Sequence, residues 1–350
     1  MNDSHDTGAR AAQADARDAL QRVLHEIKRV IVGQDAMLER VLVSLLAGGH
    51  VLLEGVPGLA KTLTVKTLAR ALGGSYGRIQ FTPDLVPADL VGTRVWRPDS
   101  GRFDTELGPV FHNFLLADEI NRAPAKVQSA LLEVMQEHQV TIGGTTYGVP
   151  EPFIVLATQN PIESEGTYPL PEAQVDRFLM KILVDYPSVQ EEAAVVGRSL
   201  VPAPEITESL SLEDLRRHAE TARSVEVDRE TIAYAVALAD ATRNPGRHGL
   251  AELAGLIEFG ASPRGPIGLV QAGRALALLR GRGYVEPGDV RDLAADLLRH
   301  RLVLSYDALS DGVTVDQLLE KVLVTVPEPG AQRLTRSGSG PVRGEGLLGA

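Results

Sequence analysis

Apolar positions fall into two rhythms along this chain. Leu20, Val23, Leu24, Ile27, Val30 and Ile31 recur at helical spacing, as do Met37, Leu38, Val41, Leu42, Leu45 and Leu46. Gly48-Gly49 closes the second helix. A short buried-strand pattern, Val51-Leu52-Leu53, follows, then a glycine-rich turn from Gly55 to Ala60. A helix is predicted over 62–72. Strand, loop and helix in this order form the first unit of a doubly wound α/β sheet.

Four more apolar runs bounded by turns read as strands, at 79–81, 114–117, 153–158 and 180–184. An amphipathic helix is predicted over 124–138, with Val127, Ala130, Leu131, Val134 and Met135 on one face. Two segments read as inserted hairpins. One covers 94–103 and turns at 98–101; the other covers 140–149 and turns at Gly143-Gly144. After Tyr186-Pro187 the strand patterns stop and helical ones take over, including 267–279 and 290–298. The expected organisation is a flexible terminus (1–19), an α/β core (20–187), a linker with helices (188–225), an all-helical domain (226–330) and a disordered tail (331–350), Gly/Ser-rich from 337. No internal repeat is visible.

Composition narrows the chemistry. The 350 residues are 44% hydrophobic but only 4% aromatic, so Leu, Val, Ile and Ala must fill the core. The net charge of −11 argues against broad nucleic-acid binding, which needs positive charge to displace counterions. The absence of cysteine rules out disulfides, thiolate metal sites and a thiol nucleophile, and fits a reducing cytoplasm. Residues 1–19 lack the apolar core of a secretory signal. The longest apolar stretch, 41–53, is interrupted by Ser44, Gly48, Gly49 and His50, and is too short to span a bilayer. Eight scattered histidines show no metal-binding spacing.

The strongest chemical signal is Gly55-Val56-Pro57-Gly58-Leu59-Ala60-Lys61-Thr62, with Leu63 next on the helix. Small residues let backbone N–H groups turn inward around phosphate oxygens. A lysine neutralises the β/γ-phosphates, and a Ser/Thr hydroxyl ligates magnesium. Ala60 stands where the strict motif has glycine; if that position needs positive φ, alanine costs about 1 kcal/mol. The apolar strand ending in Asp118-Glu119 supplies a metal-holding carboxylate (Asp118) and a base for the attacking water (Glu119). Asn160, in Ala157-Thr158-Gln159-Asn160-Pro161, either positions water near the γ-phosphate or starts a turn. Arg177 either reaches a neighbouring subunit's γ-phosphate or pairs with Asp176 or Glu172. Arg264, at the start of a helix in the second domain, either senses phosphate or is an ordinary exposed arginine.

Taken together, Glu54 to Thr62, Asp118-Glu119-Ile120-Asn121-Arg122-Ala123-Pro124, Ala157 to Pro161, Leu170-Pro171-Glu172-Ala173-Gln174 and Gly260-Ala261-Ser262-Pro263-Arg264 resemble the MoxR family of AAA+ ATPases. Five motifs fall in the right order, and the resemblance covers about residues 20–330. Alanine before the loop lysine is usual in that family. The resemblance implies a parallel sheet of order 5-1-4-3-2, a C-terminal helical lid, and ATP with Mg2+ bound between subunits of a hexameric ring. It places Val32-Gly33-Gln34 on the adenine side, Asn160 as sensor 1, Arg177 as the arginine finger and Arg264 as sensor 2. Arg122 is a second trans candidate. In related ATPases, inserts like the two hairpins face the ring pore or the substrate. The resemblance further implies chaperone-like remodelling of protein clients together with a separately encoded von Willebrand factor A-type protein.

Three activities compete at this stage. The first is a magnesium-dependent ATPase that remodels proteins. The second is a nucleotide-gated scaffold with slow hydrolysis; the Asp118-Glu119 pair and Arg177 argue against a dead enzyme. The third is a nucleic-acid motor or regulator. Residues 141–149, which form most of the second hairpin, contain neither Lys nor Arg, which argues against that reading.

Overall fold

The computed structural model describes residues 3–56, 58–161 and 166–330. The chain opens with helices α1 (Asp3–Lys28) and α2 (Asp35–Ala47), followed by β1 (Val51–Glu54) and α3 (Lys61–Ala71). Then come β2 (Tyr76–Gln80), α4 (Pro87–Val91) and a hairpin of β3 (Gly92–Arg97) and β4 (Arg102–Leu107). The core continues with β5 (Phe114–Asp118), α5 (Ala125–Glu137), a second hairpin of β6 (Gln139–Ile142) and β7 (Thr145–Gly148), β8 (Ile154–Gln159), α6 (Glu172–Val175) and β9 (Met180–Leu183). Beyond it lie α7 (Val189–Ser199), α8 (Leu212–Arg223), α9 (Arg229–Arg243), β10 (Ile257–Phe259), α10 (Arg264–Leu279), α11 (Pro287–Leu298), β11 (Val303–Leu304), α12 (Tyr306–Ser310) and α13 (Val315–Thr325).

The main sheet runs β2-β5-β8-β1-β9, and every pairing in it is parallel. Counting only these five strands in chain order, this is 5-1-4-3-2, as the resemblance implied. The three inner strands are buried along nearly their whole length, while β2 and β9 at the edges alternate. Buried on both faces, the inner strands read in sequence as unbroken apolar runs. Their side chains still alternate between two cores. Val51, Leu53, Phe114, Leu116, Ile154 and Leu156 join one cluster; Leu52, Leu115, Ala117, Val155 and Ala157 join the other. The second cluster is covered by α5, by Leu90 and Val91 of α4, and by Val140, Ile142 and Tyr147 of the second hairpin.

The C-terminal helices are not a separate globule. Leu269, Ala272, Leu276 and Leu293 belong to the same apolar cluster as Val51 and Phe114. Helix α10 packs against α1, α2, α8, α9 and α11. Ser211, Asp228 and Thr314 cap α8, α9 and α13 through side-chain oxygens, which explains where those helices begin.

Two expectations need correction. The region expected to be all-helical also carries a two-stranded antiparallel ladder, β10 with β11. Strands of three and two residues are too short to leave a period in the sequence. The terminus expected to be flexible over 1–19 is helical from Asp3 onward. Ala16 and Ala19 are buried and extend the apolar stripe of Leu20, Val23 and Ile27; because they are small and set among charges, their stripe is hard to read. The tail 331–350 lies outside the described residues.

Candidate active site

The phosphate-loop segment leaves β1 at the carboxyl edge of the sheet. Gly55 donates its N–H to the Gln159 carbonyl at 3.3 Å. A Cβ on Gly55 would stand 2.4 Å from the Val184 carbonyl oxygen, so glycine is required there by close approach. Gly58 has φ 87°, and Ala60 has φ 57° in the left-handed region just before α3. Pro57 lies outside the described residues. Ala60 therefore carries the backbone cost that a positive φ imposes on alanine, about 1 kcal/mol. Lys61 begins α3, and its Nζ donates to the Gly55 carbonyl at 2.5 Å. Burial lowers the Lys61 pKa, with Asp118, Glu119 and Glu54 pulling it back up. Thr62 and Leu63 follow on the first turn of the helix.

The acidic pair stands at the end of β5, two strands away. Thr158 Oγ donates to Asp118 Oδ1 at 2.7 Å and accepts the Glu119 N–H at 2.8 Å. Arg78 forms an ion pair with Asp118 Oδ2 at 2.7 Å. Glu119 adopts φ 58° and ψ 50°, which turns its side chain out of the strand direction. Its Oε2 accepts from Gln80 and from Arg122, each at 2.9 Å. Asn160, just past β8, is buried. Gly58 to Leu63, Asp118, Glu119 and Asn160 all line one open cavity of about 430 Å³, with Arg78, Gln80, Thr158 and Gln159 completing the wall. This is the edge where an open parallel sheet binds ligands.

Thr158, Arg78 and Gln80 were missed as functional residues. Thr158 and Gln159 sit inside a motif already singled out. Arg78 and Gln80 alternate on the exposed side of β2. Their only sequence signal is that pair of polar residues on an edge strand.

Arg177 and Arg264 are not in this cavity. Both line a second one of about 220 Å³, between the Gly48-Gly49 turn, the end of α5 and the start of α10. Arg264 Nη1 lies 3.8 Å from Asp176 Oδ2. The alternative partners considered for Arg177, Asp176 and Glu172, are not bound to it; its guanidinium makes no ion pair among the described residues. Val32 and Gly33 lie outside the phosphate cavity as well. A Cβ on Gly33 would meet the Glu191 carboxylate, and Gln34 Nε2 donates to the Asp185 carbonyl at 3.0 Å.

Among the described residues, no three His, Asp or Glu side chains gather as a metal cage. A hydroxyl (Thr62) and a carboxylate (Asp118) on one cavity fit magnesium nonetheless, because that ion takes most of its ligands from water and substrate phosphates.

Comparisons with known proteins identify the family. Residues 50–180 match the family model described as the ATPase family associated with various cellular activities (AAA), and residues 253–322 match the AAA lid domain. Chaperone MoxR1 of Mycobacterium tuberculosis is 56% identical over 319 residues, covering 91% of this chain and 85% of its own length. The chain belongs to the MoxR family of AAA+ ATPases. Protein MoxR of Methylorubrum extorquens is 35% identical, covering 91% of this chain and 98% of its own. A solved structure of a candidate ATPase from Cytophaga hutchinsonii superposes with a TM-score of 0.88 at 46% identity, covering 93% of this chain and 99% of that one. The chain is thus an ATP-hydrolysing P-loop enzyme of that family.

Proposed function

We propose that this MoxR-family chain is an Mg2+-dependent ATPase that assembles into a hexameric ring and remodels protein partners in the cytoplasm. One observation carries the reading. Lys61, Thr62, Asp118, Glu119 and Asn160 share a cavity, whereas Arg177 and Arg264 share a different one. Two arginines set apart from the chain's own phosphate loop suit the triphosphate of a neighbouring copy.

Within one subunit, Lys61 gives up the Gly55 carbonyl to meet the β/γ-phosphates. Thr62 and Asp118 hold magnesium, which when bound neutralises charge on the phosphate oxygens. Glu119 accepts a proton from the attacking water once Gln80 and Arg122 release its Oε2. Asn160 orients that water. Val32-Gly33 carries the adenine side. Remodelling of clients extends to this chain the word chaperone in its relative's name. A von Willebrand factor A-type protein as a separate partner rests on the family resemblance. No helix among the described residues is long and apolar enough to cross a membrane.

A nucleotide-gated scaffold with slow turnover is the second reading, favoured by the two hydrogen bonds that occupy Glu119 Oε2. One set of measurements separates the two. Lys61→Ala is expected to lose ATP binding and turnover. Glu119→Gln is expected to bind ATP while turnover falls by about 10²-fold or more. Chelating magnesium should stop the wild-type reaction. Normal turnover in Glu119→Gln would remove the base assignment, and wild-type binding without turnover would favour the scaffold.

A further inference from the structure

The second cavity holds the arginines in an unusual balance. Its charged lining residues are Arg177, Arg264, Arg301 and Asp176, three cations against one carboxylate on a chain of net charge −11. That excess makes it an anion-facing surface. Asp176 immediately precedes Arg177, and its carboxylate is the meeting point of the group. Arg301 Nε lies 2.8 Å from Oδ1, and Ser262 Oγ donates to Oδ2 at 3.1 Å. The Ser262 hydroxyl also accepts the Arg264 N–H at 3.2 Å. One core carboxylate is therefore tied to the turn after α11 through Arg301 and to the start of α10 through Ser262.

Arg301 does more than pair with Asp176. Its side chain is only 3% exposed. It donates to the carbonyls of Phe178 at 2.9 Å and Leu179 at 3.1 Å, and also to that of Leu297. His300 adds a contact from Nε2 to the Phe178 carbonyl at 3.0 Å. A planar guanidinium can satisfy several acceptors in fixed directions, which an ammonium cannot. Arg301 also donates to the Asp176 carbonyl at 3.4 Å, so the backbone on both sides of Arg177 is pinned from the lid. Burial lowers the Arg301 pKa to about 10, with Asp176 opposing the shift; the group stays charged at neutral pH. Arg264 is held loosely: its contact with Asp176 is long, and half of its side chain is exposed. It can turn to another anion while the rest of the cluster stays in place.

We infer that Asp176 and Arg301 form a positioning clasp that joins lid to core and presents Arg177 and Arg264 together to the triphosphate of an adjacent copy. The inference rests on the trans role proposed above for the two arginines. Asp176 and Arg301 are positioning residues: they act through Arg177 and Arg264 and touch no nucleotide themselves.

Mixed assemblies test the clasp. Arg177→Ala subunits keep an intact nucleotide cavity but lack the finger. Lys61→Ala subunits cannot bind nucleotide but still offer their arginines. Mixing the two should restore turnover that neither has alone. Adding Asp176→Asn to the Lys61→Ala subunit should cut that restoration by about tenfold or more, because small misplacements of a catalytic group are costly. Adding it to the Arg177→Ala subunit should leave the restoration unchanged. Asp176→Asn conserves volume and the Ser262 hydrogen bond; Arg301→Lys in the same two positions is the second variant. Equal losses in both positions would mean a general folding defect and overturn the clasp. An unaffected donor would overturn it as well. Failure of the parental mixture to recover any turnover would instead sink the trans assignment, and the clasp with it.

Discussion

At Gly55 the missing side chain serves spacing more than backbone freedom. The Val184 carbonyl occupies the place a Cβ would take, so Gly55→Ala must push β1 and the end of β9 apart. We expect a loss of about 1–3 kcal/mol in denaturant unfolding, as for other overpacked sites, and weaker ATP binding in calorimetry. Unchanged values for both would contradict the close-approach argument. Ala60 is the converse case. Its positive φ could be anticipated only as a condition, because an alanine there could equally sit in ordinary backbone. Lys61, Thr62, Asp118, Glu119 and Asn160 were legible because each chemical type stood at the end of a strand or the start of a helix. Thr158 was not, because its two short hydrogen bonds depend on β8 lying beside β5, and that adjacency is set by topology rather than by local spacing.

At the scale of elements, His50 shows how one buried polar side chain joins three of them. It sits just before β1. Its Nε2 donates to the Met135 carbonyl at 3.2 Å, and its Nδ1 accepts the Val155 N–H at 3.0 Å. Burial lowers its pKa to about 4, so it is neutral in the folded protein at any pH well above that. The unfolded chain binds a proton near pH 6.5 that the folded chain does not bind until about pH 4. Stability therefore rises with pH across this window, and is lost on acidification, by up to about 1.4 kcal/mol per pH unit. His300 is also buried with a pKa pushed well down, and adds in the same direction. Urea unfolding of wild type and His50→Asn between pH 7 and pH 4.5 should show a shallower slope for the variant; parallel slopes would rule out His50 as the source. The five sheet strands and α5 were readable from apolar runs and a four-residue turn period. The β10–β11 ladder was not, since its few residues are held by register with each other rather than by an apolar face.

For the whole molecule, the separation of the two cavities is the organising fact. Each chain sets the candidate phosphate-binding side chains at one place and two arginines, Arg177 half-buried and Arg264 exposed, at another. If the sites complete each other across copies, assembly should follow nucleotide. Light scattering of Glu119→Gln with Mg-ATP should report a mass near that of a hexamer, and Arg177→Ala should shift that equilibrium toward smaller species. A protein that stays at 37.5 kDa under saturating ATP would argue against the ring. The order of motifs allowed the α/β core and the lid to be anticipated. Which arginines face which cavity could not be, because it depends on how α10 and α11 dock on the core.

Helix α1 packs at once on α3 of the core and on α8 and α10, which come much later in the chain. During synthesis its stripe of Ala16, Leu20, Val23 and Ile27 emerges before the helices that cover it, and its seat is finished only when the residues up to Leu279 have been made. This segment is thus covered only long after it leaves the ribosome, and the growing chain carries an unshielded greasy edge until α10 has been made.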